Sequence, residues 1–438
     1  MLKYTQQVKE KHVVLFFIVS LLAAFLLRLL TFSIIEGYPN DIACLKGWAI
    51  AAAQNGLPDF YLGDGFIDYP PVYIYVLYII GLIKNFFLID YYSDLFLLLI
   101  KFPAILADIA TSMLIFLLAR KKIAAVGAAA FSLLYAFNPS IVINSTFYGQ
   151  IDSLLALYIL LMLVLLQKDR LVYATIVFVV SSLTKYQFMI FAPLIILVLL
   201  DKIVVDTKST VNNKKFKPSQ LVELLKKEGN RTLLLSVLFG ILTFVVILIP
   251  FSIKQQPLWI FAFIAKSLSS YPYASCNAFN IFTLFGANWL PASESFLFLP
   301  YRVWGSIFIV LITGISAYLY FSSEDKSKIH LLALFISMSV FMLSHKMHER
   351  YLFPAVVLVI MAYINTKDKR FLFIFAAVSI TFFFNQALVL YFVLRPERIY
   401  HISNRNVWLR IISLANIVIW IYSMRLIFDT LLKKTKKE

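Results

Sequence analysis

The sequence predicts an all-α polytopic membrane protein, and composition, repeated apolar runs and clustered charges each support this fold class. Of the 438 residues, 61% are apolar and only 14% are charged, with a mean hydropathy of +0.85. This composition is typical of membrane proteins and excludes a soluble domain. The net charge of +17 comes from short basic clusters between apolar runs, so we predict no nucleic-acid partner.

Apolar runs long enough to approach a membrane span recur along the whole chain. A hydrocarbon core about 30 Å thick needs roughly 20 helical residues to cross it. The chain offers about a dozen such runs, some short and interrupted, within one integral membrane domain covering residues 1–438. The predicted spans are 13–35, 95–119, 123–139, 151–167, 171–184, 188–201, 232–251, 302–321, 330–344, 351–364, 371–393 and 408–428.

The basic clusters predict how these spans are oriented. With both termini in the cytoplasm, more than half of the 40 Lys and Arg residues fall on the inner side, as the positive-inside rule expects. Residues 202–231 then form a basic cytoplasmic loop, which we expect to face membrane lipids, while 36–94 and 252–301 form long outer loops. The run 71–89 is interpreted as a juxtamembrane or re-entrant helix, because counting it as a span would invert every later cluster.

The N-terminal apolar run is interpreted as a retained helix, because it is long, contains Arg28 and lacks a cleavage site. We therefore expect a multi-pass protein of a bacterial plasma membrane, with an endoplasmic reticulum location left open. Cys44 and Cys276 both fall on the predicted outer side, where either a disulfide or two buried thiols would fit.

The first outer loop carries an unusual concentration of acids for a chain with only 23 Asp and Glu residues. Five lie within residues 36–71: Glu36, Asp41, Asp59, Asp64 and Asp68. We interpret this concentration as a sign that chemistry takes place at the outer face.

A second polar cluster, HKMHER, lies between two short predicted spans. It contains His345, Lys346, His348, Glu349 and Arg350, a set suited to binding an anionic headgroup such as a phosphate. The alternative is a tight interfacial turn in which Glu349 contacts Arg350 or Lys346. No zinc site is predicted, because HKMHE lacks the HExxH spacing; whether another divalent metal takes part is left open.

Several polar residues interrupt apolar runs elsewhere. Lys185 and Gln187 lie where two short spans meet, and a lysine at membrane depth costs about 2.5 to 3.5 kcal/mol unless it is paired or faces a cavity. We expect a functional partner for Lys185, with snorkelling to the interface as the alternative. Asp108 is expected to form a helix-to-helix hydrogen bond or to pair with Arg28. Asp152 either caps its helix or takes part in function.

These residues suggest a reaction. The chain contains no GxGxxG, Walker or DxD motif for a nucleotide or a nucleotide sugar. An enzyme that faces outward then needs an activated substrate that arrives in the membrane, and a lipid-linked sugar phosphate fits. Its transfer needs a general base and cations that stabilise the leaving phosphate. One carboxylate can suffice, in contrast to the paired carboxylates of glycosidases.

The order of YPND, DYPP, FYGQID, KYQ and HKMHERYLFP resembles the GT-C superfamily of polyprenyl-phosphate-sugar-dependent glycosyltransferases. The motifs are similar to those of bacterial mannosyltransferases related to GPI mannosyltransferase II and of dolichol-pathway glucosyltransferases. The resemblance extends over about residues 37–363. It implies a GT-C-like bundle of about 12 helices and inverting transfer of mannose or glucose without a cofactor. The implied donor is a polyprenyl-phosphate sugar, and the implied acceptor is a lipid-linked or cell-envelope glycan.

The resemblance also implies roles for individual residues. The acid of the first outer loop, the catalytic base in the family, matches Asp41. The histidine turn, which faces the lipid phosphate, matches His348, Glu349 and Arg350. The first histidine of that turn falls on Lys346, so the neighbouring His345 is the carried-over residue.

Further matches concern the donor and the acceptor. Lys185 and Gln187 match donor-side contacts. Many relatives have two adjacent acids after the first span, whereas Asp41 follows an asparagine, which leaves Asp68 as a second candidate base. The DYPP setting of Asp68 also predicts a rigid corner, because a proline forces the preceding Tyr69 towards an extended backbone. Asp68 and Tyr69 are predicted acceptor or structural residues. The same prediction applies to Gln150 and Asp152 of the FYGQID motif.

Two other functions remain open. A lipid or ion transporter would explain Lys185 and Asp108 at membrane depth, although the chain shows no repeated pair of broken helices. A polysaccharide polymerase or ligase would share the lipid-phosphate donor but would transfer a glycan chain.

Overall fold

The computed structural model describes residues 2–63, 65–210, 228–325 and 327–433, and these are mostly helical. Asp64, most of the predicted cytoplasmic loop, Lys326 and the lysines after residue 433 lie outside the described residues. The first half of the chain contains helices α1 (Leu2–Thr31), α2 (Pro39–Asn55), α3 (Pro71–Phe86), α4 (Asp94–Ala119), α5 (Ala125–Ala136), α6 (Pro139–Val142), α7 (Asp152–Gln167), α8 (Leu171–Ser182) and α9 (Ala192–Thr210). A π-helical turn, Ile143–Tyr148, follows α6, and a 3₁₀ helix, Tyr186–Phe191, precedes α9.

The second half continues the helical bundle and adds four very short strands. Its helices are α10 (Glu228–Ser252), α11 (Trp259–Ser269), α12 (Ile281–Leu284), α13 (Tyr301–Ser322), α14 (Lys328–Leu343), α15 (Phe353–Thr366), α16 (Arg370–Val393) and α17 (Val407–Leu432). Strand β1 (Ser275–Cys276) pairs in parallel with β4 (Met347–His348). Strands β2 (Ser295–Phe296) and β3 (Leu299–Pro300) pair antiparallel.

Six helices of the described chain are long and apolar enough to cross a membrane. They are Glu10–Thr31, Asp94–Ala119, Gly229–Ser252, Tyr301–Ser322, Arg370–Val393 and Val407–Leu432. A seventh span results if α5 and Pro139–Tyr148, which are bent by 41°, cross together. The helical fold and these spans agree with an all-α integral membrane protein.

The prediction of about 12 spans is not confirmed by the lengths of the described helices. The predicted spans 151–167, 171–184, 330–344 and 351–364 fall on shorter apolar helices of 12 to 16 residues. At 1.5 Å per residue, even 16 residues reach only about 24 Å. The predicted span 188–201 is also divided, because a 3₁₀ helix precedes α9. Pro193 lies in the first turn of α9, where proline is tolerated.

The segment 36–70, expected to be a loop, contains the 17-residue helix α2. Its Ala49 packs against Gly81 of α3, where an added Cβ would lie 2.0 Å from the Ala49 carbonyl oxygen. This close approach explains why glycine is needed at position 81. Helix α3 covers most of the run 71–89 and, with 16 residues, is shorter than a typical span.

Several ion pairs join residues predicted to lie on the same side of the membrane. Among the described residues, Glu36–Lys46, Asp59–Lys254, Asp152–Lys185 and Asp41–Arg350 join predicted outer residues. Glu10–Arg120 and Asp169–Lys202 join predicted inner residues. The ion pairs thus divide the segments between the helices into the two groups expected for the outer and inner sides of the membrane. Which group faces the cytoplasm stays a prediction.

The centre of the bundle is formed by α14 and α15, whose side chains are almost all buried in one large apolar cluster. Beside this cluster lies a buried ion pair: Arg28 Nε is 3.3 Å from Asp108 Oδ2. Arg28 also donates to the Ala136 carbonyl at 2.8 Å, and Ser145 donates to Asp108 at 2.6 Å. The expected pairing of Asp108 with Arg28 is therefore confirmed.

Asp108→Ala should destabilise the protein strongly, because it leaves the Arg28 charge buried without its partner. We expect the free energy of unfolding to fall by about 3–5 kcal/mol, and a double Arg28→Met, Asp108→Leu variant to recover most of the loss. Glu10→Gln, which breaks an exposed pair with Arg120, is the control and should cost less than about 1 kcal/mol. Denaturant unfolding in detergent measures both changes; equal losses would contradict a structural role for the buried pair.

Candidate functional site

Segments far apart in the sequence meet around the turn 344–352 between α14 and α15. This turn pairs with the segment 270–276 through β1 and β4, and the Lys346 amide donates to the Tyr273 carbonyl at 3.1 Å. It also contacts the first turn of α2 through Asp41 and the 3₁₀ helix through Gln187, which donates to the Tyr351 carbonyl at 3.3 Å. The residues predicted for one site are therefore brought together.

Arg350 is at the centre of this assembly. Its Nη1 lies 2.9 Å from Glu349 Oε1, and its Nη2 lies 3.6 Å from Asp41 Oδ2. Tyr148 donates a hydrogen bond to the same Glu349 oxygen at 2.7 Å. The predicted base and the predicted phosphate-binding arginine are thus direct neighbours.

Asp41 has a second partner, the side-chain amide of Gln150, and its own side chain is 27% exposed. Gln150 follows Gly149, which adopts φ +77° and lies so close to Ile42 that an added Cβ would be 2.5 Å from its Cδ1. Glycine is required here both by the left-handed backbone and by the close approach. Gln150, predicted to be an acceptor or structural residue, therefore contacts Asp41.

Lys185 does not snorkel to the interface, because its ammonium is buried in an ion pair with Asp152. Asp152 lies in the first turn of α7 and caps no backbone amide, since the N-cap position is taken by Ile151. Its second oxygen accepts from Asn144 at 3.2 Å. The contacts give Lys185 the partner that its burial requires.

A cavity of about 440 Å³ opens beside Arg350. Its polar lining includes most of the predicted site residues: Asp68, Tyr69, Lys185, Gln187, His345, His348 and Arg350. Asp41, Gln150 and Asp152 are not among the lining residues and lie behind Arg350 and Lys185. Arg350 is thus shared between the cavity and Asp41.

The other wall of the cavity is apolar and reaches the surface of the bundle. Met189, Leu268 and Ile309 line the cavity and are 46%, 52% and 43% exposed. Ile309 belongs to α13, one of the helices that are long and apolar enough to cross a membrane. The cavity therefore combines a charged interior with an opening towards the apolar surface that a membrane would cover.

The histidines of the turn are neutral near pH 7. Burial and the positive charge of Lys346 lower the pKa of His345 to about 4. Burial, together with Arg350 and Lys185, holds the pKa of His348 well below its usual value. The positive charge of the cavity therefore comes from lysine and arginine, while the imidazoles serve as hydrogen-bonding groups.

Asp68 is a carboxyl group on the cavity wall that forms no ion pair with a described residue. Burial, and then the negative charge of Asp41, raises its pKa to about 6. Tyr69 lies outside any helix or strand, Pro70 is the N-cap residue with an extended backbone, and α3 begins at Pro71. Asp68 is thus both part of a corner and a cavity residue.

Three contributors to the site were not anticipated from the sequence. Tyr148 lies in the FYGQID motif, but the sequence does not indicate its contact with Glu349. Gly305 of α13 packs directly on His345, and an added Cβ would lie 2.3 Å from His345 Nδ1. Lys101 donates to the carbonyls of residues 32, 35 and 146 at 2.8 Å each, and its place in an apolar run, like that of Lys185, could have indicated a buried partner.

The cysteines form no disulfide: Cys44 is half-buried and Cys276 is buried, each as a free thiol. Of the two alternatives, free thiols are confirmed, but the expected burial is confirmed for Cys276 only. In the part of the chain that the structure describes, no group of three His, Cys, Asp or Glu residues is arranged to hold a metal ion.

Comparison with known proteins does not identify a function, so the function is inferred from the site. No family model matches the chain, and no curated protein matches it significantly. The motif resemblance to GT-C glycosyltransferases stays a prediction.

Gly305→Ala should disturb the cavity, because the new methyl group collides with His345 and overpacking typically costs about 1–3 kcal/mol. Gly314→Ala on the same helix is the matched control, since an added Cβ there meets no atom within 4 Å. We expect a lower unfolding temperature for Gly305→Ala alone. Thermal unfolding of both purified variants measures this effect. Equal unfolding temperatures would show that the packing of the His345 ring does not require glycine at position 305.

Asp68 should make stability dependent on pH. Because its pKa rises from 3.8 to about 6 on folding, the folded protein holds a proton on Asp68 between these values that the unfolded chain releases. The free energy of unfolding should therefore decrease as pH rises through this window and level off above it.

Asp68→Asn should remove this component, whereas Asp59→Asn, which alters an exposed pair with Lys254, should retain it. Unfolding temperatures measured from pH 4 to 7 test the prediction. An Asp68→Asn profile that matches the wild-type profile would rule out the titration of Asp68.

Proposed function

We propose that the protein is an integral membrane glycosyltransferase of the GT-C type. It transfers a hexose, mannose or glucose, from a polyprenyl-phosphate donor to a hydroxyl group of a lipid-linked or cell-envelope glycan. The observation that carries this proposal is the position of Arg350, which lines a cationic cavity and also contacts Asp41. A phosphate-binding group and a candidate base are thereby joined in one site.

The cavity supports a lipid phosphate as the donor. Arg350 and Lys185 provide positive charge in a largely buried setting, where ionic hydrogen bonds to phosphate are strong. The neutral His345 and His348 can donate hydrogen bonds to the same group. The apolar wall at Ile309 suits a polyprenyl chain that enters from the membrane, because this wall is continuous with the apolar surface.

In the proposed reaction, Asp41 accepts the proton of the acceptor hydroxyl while the hydroxyl oxygen bonds to C1 of the sugar. The bond between C1 and the phosphate oxygen breaks, and its electron pair leaves with the polyprenyl phosphate. Arg350 and Lys185 stabilise the charge that develops on this phosphate. A single displacement of this kind inverts the configuration at C1.

The finer architecture belongs to the same proposal. A GT-C-like bundle of about 12 membrane helices would place the site at the extracytoplasmic face, with both termini in the cytoplasm of a bacterial cell. The shorter helices α7, α8, α14 and α15 would complete the spans together with the turns that bear the site. Broken backbone at this depth is tolerated where protein or a cavity covers it.

The contact of one buried charge disfavours a transporter. Asp108 is paired with Arg28 and is not among the residues that line the cavity, so it offers no free charge for an ion pathway. A polymerase or ligase would use the same donor chemistry, and the size of the transferred glycan distinguishes it from a hexosyltransferase.

Transfer should depend on Asp41. In proteoliposomes supplied with radiolabelled polyprenyl-phosphate mannose or glucose and envelope glycan, Asp41→Asn should lower the rate about 10²- to 10⁴-fold, because a positioned base contributes that much. Asp59→Asn, the change of a surface acid in the same segment, is the control and should keep the wild-type rate.

Retained activity in Asp41→Asn would reject Asp41 as the base. If Asp68→Asn abolished transfer instead, the base would be Asp68. Absence of transfer by the wild-type protein with both donors would contradict the proposed function itself.

A further inference from the structure

We propose that the donor phosphate and Asp41 compete for the same edge of Arg350, so that donor binding releases the base. This inference rests on the proposed function and adds an order of events to it. The guanidinium group of Arg350 offers hydrogen-bond donors along distinct edges.

Among the described residues, the edge of Arg350 formed by Nε and Nη2 is the less occupied one. Nη1 is occupied by Glu349 at 2.9 Å, and Glu349 is itself held by Tyr148 at 2.7 Å. Nε and Nη2 share the opposite edge, the one that binds two oxygens of a carboxylate or a phosphate side by side. Nε is buried and has no hydrogen-bond partner among the described residues.

Asp41 occupies this edge only loosely. Its Oδ2 lies 3.6 Å from Nη2, beyond the length of a good hydrogen bond. Arg350 also lines the cavity in which the donor phosphate would bind. A phosphate that reaches Nε and Nη2 satisfies the buried donor and takes the place of the Asp41 contact.

This exchange has a consequence for the reaction. Without a donor, the carboxylate of Asp41 is shared between Arg350 and Gln150. With a donor bound, Gln150 still orients Asp41 through Oδ2, the oxygen that also faces Arg350, but the carboxylate no longer has the guanidinium charge as a partner when it accepts a proton. Asp41 therefore loses its cationic partner only when a leaving phosphate is present.

A double-mutant cycle tests the competition through binding alone. The probe is farnesyl phosphate, a short polyprenyl monophosphate, titrated into detergent-solubilised wild type, D41N, R350Q and the double variant. D41N should bind the probe roughly fivefold more tightly than wild type, the size expected for loss of one partly exposed ion pair. In the R350Q background, D41N should change the affinity little.

D68N is the matched control, because Asp68 carries a negative charge on the cavity wall and makes no ion pair with Arg350. Its effect on probe affinity should differ less between the two backgrounds than the effect of D41N does. R350K, which keeps the charge and loses the side-on edge, serves as a second variant should R350Q fold poorly. It should weaken the coupling with D41N in the same way.

The outcomes separate this inference from the proposed function. An equal gain from D41N in both backgrounds, or no gain in either, overturns the competition alone. Failure of the wild-type protein to bind farnesyl phosphate overturns both the donor assignment and the competition. Normal coupling without sugar transfer in proteoliposomes overturns the proposed function and leaves the competition established.

Discussion

The contact of Arg350 with two carboxylates is the interaction on which the candidate site depends. It joins the turn between α14 and α15 to the first turn of α2. A guanidinium at this burial needs anionic partners, because an unpaired charge in a low-dielectric setting is costly. Glu349, fixed by Tyr148, provides the permanent partner. Asp41 provides the weaker ion pair, so the two carboxylates that contact Arg350 are not equivalent.

The surrounding backbone is shaped so that these groups can meet. Gly149 ends the π-helical turn in a left-handed conformation and brings Gln150 to Asp41. Lys101 ties the residues before α2 to the same turn through three carbonyl oxygens. Gly305 gives His345 room against α13. Each of these positions is fixed by backbone geometry or by a buried charge. Substitutions there are therefore expected to alter the shape of the cavity.

Much of the candidate site was predictable from residue types at unusual places. Polar and charged residues stand out in a chain that is otherwise apolar, and at membrane depth they need partners. Examples are the acids between α1 and α3, a lysine inside an apolar run, and the cluster of histidine and arginine. That argument predicted the Arg28–Asp108 pair and a partner for Lys185, and both are present. It could not identify Asp152 as that partner, since a first-turn acid is equally explained by its helix terminus.

Composition and charge alone determined that this is a helical membrane protein, because apolar length and basic clusters are local properties of the chain. The tertiary structure decided how much of each run is a full span, since helices as short as α15 are stable only when neighbours bury them. It also decided that α2 exists, because its packing on Gly81 is a long-range contact. The two contacts of Arg350 likewise depend on the tertiary structure. No local sequence pattern indicates that its guanidinium group lines a cavity and also contacts Asp41.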